Sequence, residues 1–116
     1  MYNSRTYYGS IFLGEEDLKE TNISYKVKLE YYRIKSYINK ETKEIANYGI
    51  EIVKKEYREN KVNTETSNKE YITNNPNEVN KIIEKLRKHK VTPIGLNDVL
   101  EDLQENGLNP VFFSSN

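Results

Sequence analysis

The single histidine of the chain, His89, is the first residue to consider for chemistry. A histidine side chain can act as a general base or as a metal ligand near neutral pH. His89 lies within the basic run Arg87-Lys88-His89-Lys90 at the end of a predicted helix, and this positive charge repels a metal cation. Cationic side chains are favoured at helix C-termini because they interact with the helix dipole. We therefore predict a solvated helix end and no metal site at His89.

Two clusters of carboxylates are the other candidates for acid–base chemistry or for binding a hard cation. The clusters are Glu15-Glu16-Asp17 and the group Asp98, Glu101 and Asp102. Neither has the alternating oxygen ligands around a glycine that a calcium-binding loop requires. A solvated turn explains the first cluster, and acidic residues in the first turns of a helix explain the second. The sequence predicts no bound metal and no cofactor.

The composition and the remaining motifs exclude further kinds of functional site. The chain has no cysteine, which excludes disulfides, thiolate catalysis and cysteine-ligated metals. The connector Thr92-Pro93-Ile94-Gly95 lacks the lysine and the additional glycines of a phosphate-binding loop. Its proline and glycine fit a tight turn between two helices instead. Because no nucleophile–base pair is visible either, we predict no catalytic residues and a protein that is not an enzyme.

Tyrosine is unusually frequent, with 10 residues in a chain of 116. Many tyrosines alternate with lysine and arginine, and this pattern could form a stacking surface for single-stranded nucleic acid. However, 18 Lys and Arg residues are balanced by 18 Asp and Glu residues, whereas a nucleic-acid-binding protein normally has a basic excess. Single-stranded nucleic acid is therefore the alternative and not the partner that we expect.

A half-exposed aromatic sheet surface is the interpretation that we prefer for these tyrosines. Tyrosine gives a large contact area at small entropic cost, and exposed aromatic surface commonly marks a protein-binding site. Only 35% of the residues are hydrophobic, so a protein partner or a second copy would add buried surface to a thin core. We predict a non-enzymatic protein-interaction or regulatory module. The candidate interaction surface consists of Tyr25, Tyr31, Tyr32, Tyr48, Thr66, Tyr71, Phe112 and Phe113.

Alternating apolar and polar residues predict three strands that would position these side chains. The strands are residues 23–38, 45–57 and 62–73, and short polar turns between them indicate an antiparallel meander. The alternation changes phase near Tyr31-Tyr32, which predicts a β-bulge there. Gly49 within the second strand predicts a close approach of neighbouring backbone or an aromatic ring lying over it. The third strand is polar enough to form a sheet edge.

Two helices follow the strands. Asn75 is the predicted N-cap of the first helix, with Pro76 at its first position. The second helix can start at Asn97. The two apolar stripes at helical spacing consist of Val79, Ile82, Ile83 and Leu86, and of Leu96, Val99, Leu100 and Leu103. Strands followed by helices predict an α+β domain with both helices packed on one face of a three- to four-stranded sheet.

Domain organisation follows from these elements. We expect an N-terminal arm or short edge strand in residues 1–20, one α+β domain in residues 21–107, and a C-terminal tail in residues 108–116. The run Val111-Phe112-Phe113 in that tail is expected to dock on the domain or on a partner. No apolar run approaches the roughly 18 residues of a membrane span and none resembles a signal peptide, so we expect a cytoplasmic protein without a membrane partner.

Two segments carry a family resemblance. Asn47-Tyr48-Gly49-Ile50-Glu51-Ile52 and the segment from Lys90 to Asp102 resemble a small uncharacterised domain family of clostridial genomes. In that family a Tyr-Gly-Ile strand is followed by a helix and a Val-Thr-Pro connector into an acidic helix. The resemblance covers about residues 25–104 and implies no activity, substrate or cofactor. The Lys, Asn, Ile and Tyr bias is also similar to that of AT-rich Firmicute genomes, which implies a bacterial source.

Overall fold

The computed structural model describes residues 4–18, 25–39 and 41–106, which form a four-stranded antiparallel sheet with helices on one face. The strands are β1 (Ser4–Phe12), β2 (Lys26–Asn39), β3 (Glu44–Tyr57) and β4 (Val62–Thr73). The helices are α1 (Glu15–Leu18), α2 (Pro76–Lys88) and α3 (Leu96–Asn106), with a 3-10 turn at Pro93–Gly95 before α3. None of the helices in the described residues is long and apolar enough to cross a membrane.

The sheet order β1-β2-β3-β4 places every strand beside its neighbour in sequence. The predicted α+β class and the antiparallel meander are therefore confirmed. Ser4–Phe12 pairs with β2 and forms one edge of the sheet, and β4 forms the other. The first residues of the strand predicted at 23–38 lie outside the described residues, in which β2 begins at Lys26.

A bulge lies beside Tyr31-Tyr32 as predicted, but the extra residue is on the neighbouring strand β1 and not on β2. β2 pairs with β3 without any shift of register. The extra residue lies in β1, where Tyr8 separates Tyr7, opposite Tyr32, from Gly9, opposite Tyr31. The phase of the apolar pattern changes because β2 carries apolar side chains on both faces of the sheet, first on the face that the helices cover and then on the other.

A second irregularity lies where β4 passes Gly49. The register shifts because β3 has only Gly49 where β4 has Glu70, Tyr71 and Ile72. A Cβ atom on Gly49 would clash with the carbonyl oxygen of Lys69 and would lie 2.8 Å from the Cα atom of Glu70. The predicted close backbone approach is confirmed, and regular pairing of β4 with β3 ends at Lys69.

The apolar stripes of α2 and α3 pack with side chains of β2 and β3 and complete the hydrophobic core, as predicted. The Asn75 side chain accepts hydrogen bonds from the backbone N–H groups of Asn77 and Glu78, at 2.8 and 3.3 Å, which confirms the N-cap of α2. The helix α3 begins at Leu96, directly after the 3-10 turn. The buried core consists of Leu29, Tyr31, Tyr48, Ile50, Ile52, Val79, Ile82, Ile83, Leu86, Leu96, Leu100 and Leu103.

Candidate interaction surfaces

Two tyrosines of the predicted surface, Tyr31 and Tyr48, lie in the core instead. Tyr31 has no exposed surface and Tyr48 is buried, because both stand on the sheet face that α2 covers. The Tyr31 hydroxyl donates a hydrogen bond of 2.8 Å to the carbonyl oxygen of Val91 in the connector between the helices. Burial raises the pKa of Tyr31. The placement of these two residues on an exposed face is thereby corrected.

Tyr32 is the member of the predicted set at the centre of the helix-free face. The guanidinium group of Arg5 lies 4.0 Å from the centre of the Tyr32 ring. The ring of Tyr7 meets Tyr32 edge-on, with ring centres 5.6 Å apart. Arg5 also pairs with Glu51 on β3 at 2.7 Å. The Tyr32 ring is therefore in contact with side chains of the edge strand β1, and these contacts tie β1 to β2 and β3.

Glu30 is a buried carboxylate on the same face. It accepts a hydrogen bond of 2.8 Å from the Tyr32 hydroxyl and forms ion pairs with Lys28 and Lys55 at 3.4 and 3.3 Å. Burial alone would raise the pKa of Glu30, but the hydrogen bonds from Tyr32, Lys55 and Lys28 outweigh it and lower the pKa. Burial and the bond to Glu30 raise the pKa of Tyr32 to about 12. The described centre of this face is a closed polar network.

Of the residues considered for acid–base or metal chemistry, Asp17 lies beside Lys90, and His89 and Asp102 line one cavity between α2 and α3. Asp17 accepts hydrogen bonds from Lys90 at 2.8 and 3.0 Å, and this bond, followed by one from the Gly14 N–H group, lowers the pKa of Asp17. His89 is exposed at the C-cap of α2. Among the described residues, no three His, Cys, Asp or Glu side chains are grouped so that they could hold a metal ion.

A groove follows the outer edge of β4, with which no other strand of the described residues pairs, and we call it the β4–α3 groove. One part has a volume of about 330 Å³ and is lined by Glu65, Thr66, Ser67, Pro93, Ile94 and Asn97. The other part has a volume of about 450 Å³ and is lined by Lys69, Tyr71, Ile72, Asn97, Leu100, Glu101 and Gln104. Both parts share Asn97, so they are neighbours along α3. The side chains of consecutive strand residues point to opposite faces of a sheet. Because Glu65, Thr66 and Ser67 all line the groove, the groove lies along the edge of β4 and not on one face of the sheet.

The groove contains two residues of the predicted surface, Thr66 and Tyr71. The sequence identified β4 as a polar edge but gave no sign that α3 and the 3-10 turn would form the opposite wall. One feature of the sequence did indicate an apolar residue on the surface here, because Ile94 lies between Pro93 and Gly95 in the connector before α3. Its side chain is 85% exposed, although isoleucine is usually buried.

The remaining members of the predicted surface are Tyr25, Phe112 and Phe113. Tyr25 directly precedes β2, and the Arg58 guanidinium group is 4.4 Å from the centre of its ring. Phe112 and Phe113 lie outside the described residues, so their predicted docking stays a prediction.

Comparison with known protein families matches residues 12–106 to a family of unknown function, DUF6514. The match covers most of the chain, and the chain belongs to this family. A family of uncharacterised function was predicted from the sequence, and that part of the prediction is confirmed. Searches of curated proteins and of solved structures found no match.

Proposed function

We propose that this member of the DUF6514 family is a non-enzymatic binding module that takes up an extended segment of another protein chain as a fifth strand beside β4. The observation that carries the proposal is the free edge of β4 opening onto the β4–α3 groove. An edge strand presents unpaired backbone N–H and C=O groups, and an extended peptide can satisfy them by strand addition. The helix α3 provides a second wall for the side chains of such a peptide.

The edge of β4 is suited to strand addition along its first eight residues. From Val62 to Lys69 the strand pairs regularly with β3, so its outer edge has regular strand geometry. Beyond Lys69 the irregular segment at Gly49 interrupts this geometry, and bulges of this kind discourage pairing. The proposed binding edge is therefore limited to about one short peptide strand.

The helix-free face is a weaker candidate than the β4 edge. Its central ring, Tyr32, is in contact with Arg5 and Tyr7, and Lys28 and Lys55 are paired with Glu30. A partner on this face would have to replace these contacts. The same contacts disfavour stacking of nucleic-acid bases on Tyr32, and no further observation favours the nucleic-acid alternative.

Proline substitutions on β4 test the proposal. The N–H groups of consecutive strand residues point to opposite edges, so that of Thr66 and Ser67 one points towards β3 and the other into the groove. Thr66→Pro and Ser67→Pro form a matched pair. The proline at the inward N–H should lower the melting temperature, and the proline at the outward N–H should leave circular dichroism and melting nearly unchanged.

Association is then measured for the wild type and for the proline variant that keeps its fold. Binding of a partner from host lysate, or self-association in light scattering, should fall at least tenfold in that variant. Equal association of the two proteins would refute strand addition at β4. An oligonucleotide that binds the wild type with strong salt dependence would instead support the nucleic-acid alternative.

We also propose the cytoplasm of a Firmicute bacterium as the place of action. The support is the Lys, Asn, Ile and Tyr bias of the chain and the absence of cysteine, which suits a reducing compartment. Fractionation of host cells with an antibody against the protein would test this location.

A further inference from the structure

The α3 wall of the β4–α3 groove favours one sign of charge in the peptide. On α3 the groove is lined by the Glu101 carboxylate. On β4 it is lined by Lys69 and by Glu65, whose carboxylate lies 3.8 Å from the Lys54 ammonium group. The helix α3 also carries Asp98 and has no basic residue along its whole length. Side chains three positions apart on a helix are neighbours, about 5–6 Å between Cβ atoms. Asp98 therefore adds to the negative potential at Glu101.

The apolar part of the groove lies beside these carboxylates. Ile94 is almost fully exposed, while Leu100 and Ile72 contribute to the lining further along. A peptide strand beside β4 would turn alternate side chains towards α3 and the others towards the helix-free face. The positions that face α3 would thus meet isoleucine and leucine together with acidic side chains, whereas the other positions would lie beside the threonines of β4.

We infer that the β4–α3 groove binds a basic, extended peptide segment of a partner protein, with Lys or Arg and aliphatic residues at alternate positions facing α3. The inference rests on the proposed function, since it names the occupant of the same groove. Charge complementarity is the argument for it: long basic side chains can lay their methylene groups on Ile94 and Leu100 and reach Glu101 with the charged end.

A library of random 12-residue peptides displayed on phage provides the probe. It is selected against the immobilised wild type, against the correctly folded proline variant at Thr66 or Ser67, and against Glu101→Lys. Glu41→Lys makes the same change of charge in the β2–β3 turn, away from the groove, and is the matched control. Sequencing of the recovered phage gives the frequency of Lys and Arg at each position.

The wild type and Glu41→Lys should both enrich peptides in which Lys or Arg recurs at alternate positions, at least threefold over the unselected library. Glu101→Lys should lose this enrichment, and the proline variant should recover no common peptide. If the wild type selects peptides without a basic preference and the proline variant does not, the inference fails while strand addition survives. Both proposals fail if the wild type and the proline variant select the same peptides, or if neither the wild type nor the double variant Phe112→Ser, Phe113→Ser selects any.

A last variant separates a partner peptide from the chain itself. The double substitution Phe112→Ser, Phe113→Ser changes the aromatic pair that is expected to dock on the domain or on a partner. The same peptides should be recovered with this variant as with the wild type. Recovery of basic peptides only after this substitution would show that the C-terminal residues of the chain compete for the groove, and would overturn the assignment to a partner.

Discussion

At the scale of single residues, Glu30 is the most constrained ionisable group on the helix-free face. It is 5% exposed, and burial of a carboxylate is costly unless charged groups and hydrogen bonds compensate for it. Tyr32, Lys28 and Lys55 supply that compensation. Removal of any one of these partners leaves the carboxylate less satisfied, so the four side chains act as a unit.

The first prediction concerns pH. The pKa of Glu30 is lowered in the folded protein, so the unfolded chain binds this proton more readily. The resulting stability is fully present above the unfolded pKa, roughly 4.3 for glutamate, and is lost as the pH falls through the folded value. Glu30→Gln should reduce the free energy of unfolding at pH 7 by about 1 kcal/mol. As the pH falls below about 5, the free energy of unfolding of this variant should decrease less than that of the wild type.

Urea titrations at pH 7 and at several values below pH 5 measure this difference. Glu59→Gln is the control, because Glu59 lies exposed in the turn between β3 and β4. Its pH dependence should follow that of the wild type. If Glu30→Gln also follows the wild type throughout the acid range, the network around Glu30 contributes nothing to stability.

At the scale of elements, the packing of β4 against β3 depends on Gly49. The β4 backbone lies against Gly49, and the Glu70 carboxylate accepts a hydrogen bond of 3.3 Å from the Ser36 hydroxyl on β2. The irregular part of β4 therefore reaches over β3 to the next strand. Tyr71, beside Glu70, has a φ angle of 58°, a conformation that is unfavourable for a bulky residue.

The second prediction is that Gly49→Ala destabilises the protein by at least about 2 kcal/mol, because the added methyl group meets backbone atoms that cannot move independently. Gly95→Ala is the matched control, since its Cβ atom would lie 3.8 Å from the nearest atom, in the Val91 side chain. This control should be neutral or slightly stabilising. Thermal melting compares the two variants, and equal melting temperatures would mean that β4 does not lie against Gly49.

The sequence predicted most elements because their signals are local. The cap at Asn75, the stripe that includes Leu86 and the alternation of β3 each depend on residues close in the chain. The bulge beside Tyr31-Tyr32 was predicted, but its extra residue, Tyr8 on β1, was not, because register depends on both strands of a pair. The wall that α3 forms opposite β4 could not be predicted either, since it depends on how two elements distant in sequence pack.

The burial of Tyr31 shows the same limit at the level of the site. Alternation placed Tyr31 on one face of β2, and nothing in the sequence indicated that its hydroxyl would find a partner in the core. That partner, the carbonyl oxygen of Val91, is 60 residues away. Tyr32 is half-buried on the helix-free face and Thr66 is exposed on β4, and whether either residue contacts a partner stays a prediction.

At the scale of the whole molecule, one apolar layer between the sheet and the helices holds the fold together. Leu86 in α2 is 1% exposed and Leu100 in α3 is 7% exposed. The third prediction is that Leu86→Ala and Leu100→Ala each lower the free energy of unfolding by about 2–4 kcal/mol. Ile94→Ala, at an exposed position, should change it by less than about 0.5 kcal/mol. Urea denaturation measures all three, and a Leu86→Ala value close to that of Ile94→Ala would contradict this core.

The order of the elements along the chain has a consequence for synthesis on the ribosome. The sheet is complete at Thr73, but the helix residues that cover it extend to Leu103, 30 residues later. At the usual elongation rate of about 5–20 residues per second, synthesis of these 30 residues takes roughly 1.5–6 s. Until then the sheet face that carries Leu29 and Ile50 is not covered by the helices. During that interval a nascent chain exposes an apolar sheet with two open edges, so it is then that chaperones have the most apolar surface to bind.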